Sequence, residues 1–223
     1  MQERERRKRS RPQKEPLSLD AFTTAALELL EREGMGAVTL RRLARELDTG
    51  PASLYAYVNT VQDLHALVLD RALENVELHP EMAARPRERL EAVLNSYLAV
   101  LLGSAGLGEL AAGVLPHGEN ALRLTDTLLG CLRGMGLSPA RAAWGYDLLA
   151  LHVTAKAAEL DRRRAQHDPV GRAGTAYAQA DAARFPHLAA LRTELFSGTG
   201  PSRVSWAIAT LLAGIATAPE PET

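Results

Sequence analysis

The segment Thr39-Leu40-Arg41-Arg42-Leu43-Ala44-Arg45-Glu46-Leu47-Asp48-Thr49-Gly50-Pro51-Ala52-Ser53-Leu54-Tyr55-Ala56-Tyr57-Val58 reads as two short helices joined by a tight bend. Thr39 is suited to cap the first, because a threonine hydroxyl accepts one of the amides that a helix start leaves unpaired. Leu40, Leu43, Ala44 and Leu47 then share one face, with Arg41, Arg42 and Arg45 outside it. Asp48-Thr49-Gly50 forms the turn, with Gly50 supplying backbone freedom, and Pro51 is preset for a first helical position. The second helix is expected over about 51–57. Upstream, Ser18 caps a helix whose apolar positions are Phe22, Ala25, Ala26, Leu29 and Leu30, ended by Gly34. Downstream, Thr60 with Asp63 makes a capping-box-like start for a fourth helix carrying Leu64, Leu67, Val68 and Ala72, closed by Pro80 and Pro86.

Two short helices about a three-residue turn, braced by a preceding helix, make the helix-turn-helix unit that lays its second helix in the DNA major groove. Such a helix needs a slim leading end, here Gly50, Pro51, Ala52 and Ser53, for its backbone to approach the bases. Tyr55 and Tyr57 carry hydroxyls on rigid rings, suited to phosphate oxygens, while Leu54 and Val58 face inward. Arg41 can address a guanine edge with both arms of its guanidinium. The candidate DNA-contacting set is Thr39, Arg41, Arg42, Thr49, Pro51, Ala52, Ser53, Tyr55, Tyr57 and Thr60. Three amphipathic helices with a glycine turn also occur in proteins that never touch DNA, so spacing alone leaves a purely structural unit open.

The 223-residue composition, 46% hydrophobic and 24% charged, is that of a globular chain. Aromatics make up 4%, and the prevalence of Ala and Leu favours an all-α fold. A single cysteine, Cys131, excludes an internal disulfide and fits a reducing compartment such as the cytoplasm. The net charge of −1 hides an uneven distribution, with seven basic and three acidic residues among the first fifteen. Such an arm attracts phosphates, although a solvated tail explains it equally well. No apolar stretch follows it, so a signal peptide is not expected. Val204 to Ala218 is too short and too interrupted for a membrane span, and reads as a buried helix.

Helical patterning continues over 90–102, 120–133 and 139–164, with a short irregular piece through Gly113. Residues 165–180 read as a loop, 182–196 as helix interrupted by Pro186, and 202–218 as a helix apolar almost all round. There is no internal repeat. The expected partition is a disordered basic arm over 1–16, a DNA-binding domain over 17–62 and a larger helical ligand-binding and dimerisation domain over 63–223.

The runs from Thr39 to Leu47 and from Gly50 to Val58, with Asp63-Leu64, resemble the DNA-binding signature of the TetR family. A weaker likeness to the tetracycline-repressor class of C-terminal domains continues through Gly136-Leu137-Ser138 and Phe185-Pro186. The resemblance implies an all-helical homodimer with a three-helix reading head, a linking fourth helix and six or seven regulatory helices. It implies that Arg41 contacts a base, that Pro51, Ala52 and Ser53 lie nearest the groove floor, and that Tyr55 and Tyr57 grip phosphates. Two positions depart from the family pattern. Asp48 stands where the turn usually has glycine, and Val61 stands where a lysine often anchors a phosphate; Thr60 or the arm from Arg4 to Lys14 would take over that contact.

The implied function is repression of an operator on double-stranded DNA, relieved when a small hydrophobic or amphipathic effector binds. Polar groups on otherwise apolar helices nominate Tyr97, His117, Asn120, Trp144, Asp147 and His152 as effector contacts. Each is equally explicable as a core or interface residue. A tetracycline is not expected, because Glu77 replaces a pocket histidine and residues 110–115 hold no His or Thr. Dimerisation is expected through the 139–160 and 202–218 helices, paired as a four-helix bundle, with no membrane partner. No cofactor or metal is expected: the six histidines show no metal-binding spacing, and phosphate-loop and nucleophile-elbow motifs are absent. An enzyme is therefore the weaker rival, and regulation by a protein partner the other.

Overall fold

The structure, a computed structural model, describes residues 18–80, 85–165 and 169–220, and the expected basic arm lies outside them. Ser18 accepts a hydrogen bond from the Ala21 amide (3.0 Å) and starts α1 (Leu19–Glu33). Gly34, at φ 80°, ends it and returns its own amide to the Leu30 carbonyl. Helices α2 (Leu40–Glu46) and α3 (Pro51–Leu54) follow, then α4 (Val61–Leu73). The helix beginning at Pro51 is shorter than expected: Tyr57 and Val58 both return their amides to the Leu54 carbonyl, closing the chain into a turn.

The C-terminal half comprises α5 (Pro86–Gly103), α6 (Leu107–Gly113), α7 (Glu119–Gly134), α8 (Pro139–Ala165), α9 (Pro169–Ala178), α10 (Pro186–Ala190), α11 (Arg192–Leu195) and α12 (Gly200–Thr217). Two of these correct the sequence reading. The stretch before Gly113, expected to be irregular, contains α6, whose Leu107, Leu110 and Ala111 are buried. Its glycines obscured it in the sequence and are needed in the fold. Gly106 sits at φ 85°, and a Cβ on Gly108 would stand 2.6 Å from the Ala157 carbonyl carbon, so only glycine lets α6 lie against α8. The buried Asp161 carboxylate accepts the Gly108 amide at 2.8 Å and fixes that contact. The second correction is α9, a helix within the segment expected to be a loop.

One buried apolar cluster runs from Phe22, Leu30, Leu43 and Leu54 through Leu64 and Leu69 of α4 to Leu94, Leu132, Leu149 and Ile208. Each such side chain contributes about 1.5–3 kcal/mol on leaving water, so the N-terminal helices and the C-terminal half share a continuous source of stability. Helix α12 buries one stripe, Val204, Ile208, Leu212 and Ile215, and leaves Trp206 72% exposed. On α8, Ala142, Leu149 and Val153 face the core while Trp144, Leu148 and Leu151 face solvent. Arg141 ties the two helices by donating to the Ala216 (3.1 Å) and Ala218 (2.6 Å) carbonyls. Among the described residues, no single helix is long and apolar enough to cross a membrane.

Candidate nucleic-acid interface and ligand cavity

The turn into α3 takes its shape from Asp48, at φ 47°, the left-handed conformation that Asp tolerates better than most residues. The Thr49 amide then reaches back to the Ala44 carbonyl at 2.9 Å. Gly50 is extended, at φ −78°, so the backbone freedom assigned to it is not used. What its small size provides is open space, since a Cβ there would meet nothing within 4 Å. Pro51, Ala52 and Ser53 are exposed, and Leu54 and Val58 are buried at 0% and 2% exposure, which points the slim end of α3 outward.

The two tyrosines separate. Tyr55 is 55% exposed. Tyr57 is half-buried, its ring stacked on Phe22 at 5.5 Å, so much of its role is to fix the head. The two arginines separate as well. Arg41 is exposed, and its guanidinium forms no ion pair or hydrogen bond among the described residues. Arg42 bridges Glu33 (2.5 Å) and Glu46 (2.7 Å), binding the end of α1 to α2. Those hydrogen bonds raise the Arg42 pKa and hold the Glu33 carboxyl below its ordinary range. A contact between Arg42 and DNA has to compete with two carboxylates already in place.

Thr39 and Thr60 serve first as caps, accepting the Arg42 (3.3 Å) and Asp63 (3.1 Å) amides, which leaves each hydroxyl proton available to a phosphate. The Asp63 carboxylate completes the box by accepting the Thr60 and Asn59 amides, which lower its pKa. Thr49 is half-buried within the turn.

The head is tied to the regulatory half through Asp70 on α4. Helix α7 has no side-chain cap of its own at Gly118, and the Asp70 carboxylate takes that place, accepting the Ala121 amide at 2.8 Å. Asn120 Nδ2 donates to the Asp70 carbonyl (3.0 Å) and carboxylate (3.3 Å). A Cβ on Gly118 would stand 2.2–2.5 Å from that carboxylate, so glycine is required for the approach. Asn120, nominated as an effector contact, is thus engaged at this joint.

A cavity of about 950 Å³ opens between α5, α8, α9, α11 and α12. Its polar lining is Asn95, Lys156, Glu159, Arg163 and Arg203; its apolar lining includes Leu98, Ala99, Leu102, Leu160, Tyr177, Phe196 and Val204. None of the six nominated effector residues lines it. Tyr97 is buried inside α5, where desolvation raises its hydroxyl pKa. Trp144 and Asp147 are exposed on α8. His117 is exposed before α7, with Nδ1 3.2 Å from the Leu115 carbonyl. His152 is half-buried one turn before Lys156, and burial, then Lys156, lowers its pKa. The charged lining of the cavity was missed because α9, which contributes Tyr177, read as loop, and because Lys156, Glu159 and Arg163 sit on a long helix whose spacing does not record what packs across from them. A smaller cavity of about 480 Å³ is lined by His79, Arg85, Arg89, Arg123, Asp126 and Cys131, among others. No group of three His, Cys, Asp or Glu side chains among the described residues is placed to hold a metal ion.

A slim exposed helix on a buried anchor, joined through one helix to a domain with a large cavity, defines the class of one-chain helix-turn-helix regulators. Residues 22–59 match the bacterial regulatory proteins of the tetR family, and residues 80–218 match the tetracyclin repressor-like C-terminal domain. The chain belongs to the TetR family. Its fold is shared with SCO7704 from Streptomyces, at 40% identity and TM-score 0.78, over 93% of this chain and 98% of that one. ActR of Streptomyces coelicolor, solved with (S)-DNPA, is 31% identical at TM-score 0.82, over 92% of this chain and 99% of that one. The HTH-type transcriptional repressor DrrR1 of Streptomyces coeruleorubidus is 32% identical over 133 residues, 59% of this chain and 49% of that protein. The matched part of this chain spans about half the length of the curated relatives.

Proposed function

We propose that this chain is a homodimeric repressor that holds operator DNA through α3 and releases it when a small amphipathic effector fills the 950 Å³ cavity. The observation that carries the DNA half is the outward-facing end Pro51-Ala52-Ser53 anchored by fully buried Leu54. In this reading Arg41 addresses a base edge, and Tyr55 with the Thr39 and Thr60 hydroxyls addresses phosphates. Ligand control is supported by the cavity and by ActR, solved with (S)-DNPA and with actinorhodin. Dimerisation is supported by the exposed apolar side chains of α8 and α12, Trp144, Leu148, Leu151 and Trp206.

Two heads must sit roughly 34–36 Å apart, or a multiple of that, to enter successive major grooves. An effector that binds better when the heads are wrongly spaced shifts the population away from DNA. The test is fluorescence anisotropy on the DNA flanking the chain's own gene, over a series of salt concentrations. Saturable binding with a steep inverse salt dependence, flattened by deleting residues 1–15, is expected. Affinity equal to that for random DNA would refute the operator reading.

A further inference from the structure

Among the described residues, the cavity lining carries three cationic side chains, Lys156, Arg163 and Arg203, against one carboxylate, Glu159. Glu159 is held between Lys156, at 2.7 Å, and Arg163. Both cations lower its pKa, with the Lys156 hydrogen bond the largest cause, so it is ionised near neutral pH. Arg203 donates to the Leu195 (2.8 Å) and Ser197 (2.9 Å) carbonyls. The lining therefore keeps a positive excess after Glu159 is counted. Lys156 is already reduced to 23% side-chain exposure, with Arg163 at 47%. An apolar body seated on Leu98, Leu160 and Phe196 would strip water from both cations and compensate neither.

We propose that the effector is a largely apolar acid whose carboxylate docks against Lys156 and Arg163, a proposal that rests on reading this cavity as the effector site. A ligand carboxylate restores the charge balance that burial disturbs and accepts the N–H donors that face it. Asn95 adds a second polar point: its Nδ2 donates to the Glu91 carbonyl at 2.8 Å, which leaves the amide oxygen to accept from a ligand hydroxyl.

The experiment compares 2-naphthoic acid with its neutral amide by titration calorimetry near neutral pH, at low and high salt. In the unmodified protein the acid binds about tenfold tighter or better, as a charge-assisted hydrogen bond warrants, and the advantage shrinks with salt. Ala99→Trp, which fills the cavity from α5, abolishes binding of both probes. The double variant Lys156→Met/Arg163→Gln reduces the acid to the amide's affinity. Should it fail to fold, Arg163→Gln alone lowers acid affinity about threefold or more without changing the amide.

Equal affinities that Ala99→Trp abolishes would overturn the acid assignment and leave the cavity as the effector site. An acid preference undiminished in the lysine and arginine variants would overturn the role of those two cations. No binding of either probe, or binding that survives Ala99→Trp, would overturn the cavity reading and the acid proposal with it.

Discussion

Replacing Asp70 by alanine removes the carboxylate that, among the described residues, caps α7 and ties that helix to α4. The carboxylate accepts the Ala121 amide at 2.8 Å and the Asn120 side chain at 3.3 Å. Losing an N-cap costs about 0.5–2 kcal/mol, and losing a hydrogen bond to a charged group about 1.5–3 kcal/mol. These describe the same contact and are not summed, so about 2 kcal/mol is expected, or a fall of about 4–8 °C in Tm for a chain of this length. Gly118→Ala should also destabilise, because its Cβ falls 2.2–2.5 Å from the Asp70 carboxylate. In the Asp70→Ala background that obstacle is gone, Gly118 at φ −80° accepts a Cβ without strain, and Gly118→Ala should become neutral or slightly stabilising. Urea denaturation of the four proteins at one fixed protomer concentration reads the cycle directly. Additive effects of the two substitutions would refute the cap, as would an Asp70→Ala protein as stable as the parent.

Arg41→Ala should cost about 1–3 kcal/mol on the specific operator and relax base preference at one position, measured by anisotropy on single-base operator variants; unchanged discrimination would remove Arg41 from the reading set. Trp206→Asp should convert the dimer to monomer in light scattering, because it sets a charge in the exposed apolar face of α12; an unaltered mass would refute that interface. His152 has its pKa lowered by burial, so the folded chain binds fewer protons than the unfolded chain below the ordinary histidine value of 6.5. Stability should therefore fall as pH drops through that value and level off below the folded pKa, and His152→Gln should remove this component when denaturation midpoints are compared across pH.

The reading head was legible because its signals are local. Ser18, Thr39 and Thr60 were readable as caps from sequence alone, and each accepts the amide expected of it. The buried positions Phe22, Leu30, Leu43 and Leu54 follow from helical spacing. What spacing could not show was partnership between elements. The pairing of Arg42 with Glu33 crosses from α2 to α1, and the Phe22–Tyr57 stack brings together rings 35 positions apart. Nothing in the neighbourhood of Arg42 or Tyr57 distinguishes them from exposed, unengaged groups.

The regulatory half was less legible for the same reason at longer range. Amphipathic periodicity determined that the chain is helical, where the caps of α1, α2 and α4 fall and most of the residues that α1 to α4 bury, since those properties depend on neighbours within one or two turns. Only the tertiary structure decided that a glycine-rich piece becomes the central helix α6, because Gly106 and Gly108 are unfavourable in isolation and become necessary once α8 lies at contact distance. It also decided that Asn120 belongs to the joint with Asp70, and that charged residues on α8 line a cavity. A cavity is space left between helices whose separation is set by packing among residues distant in the chain, and no periodicity along the sequence records that space.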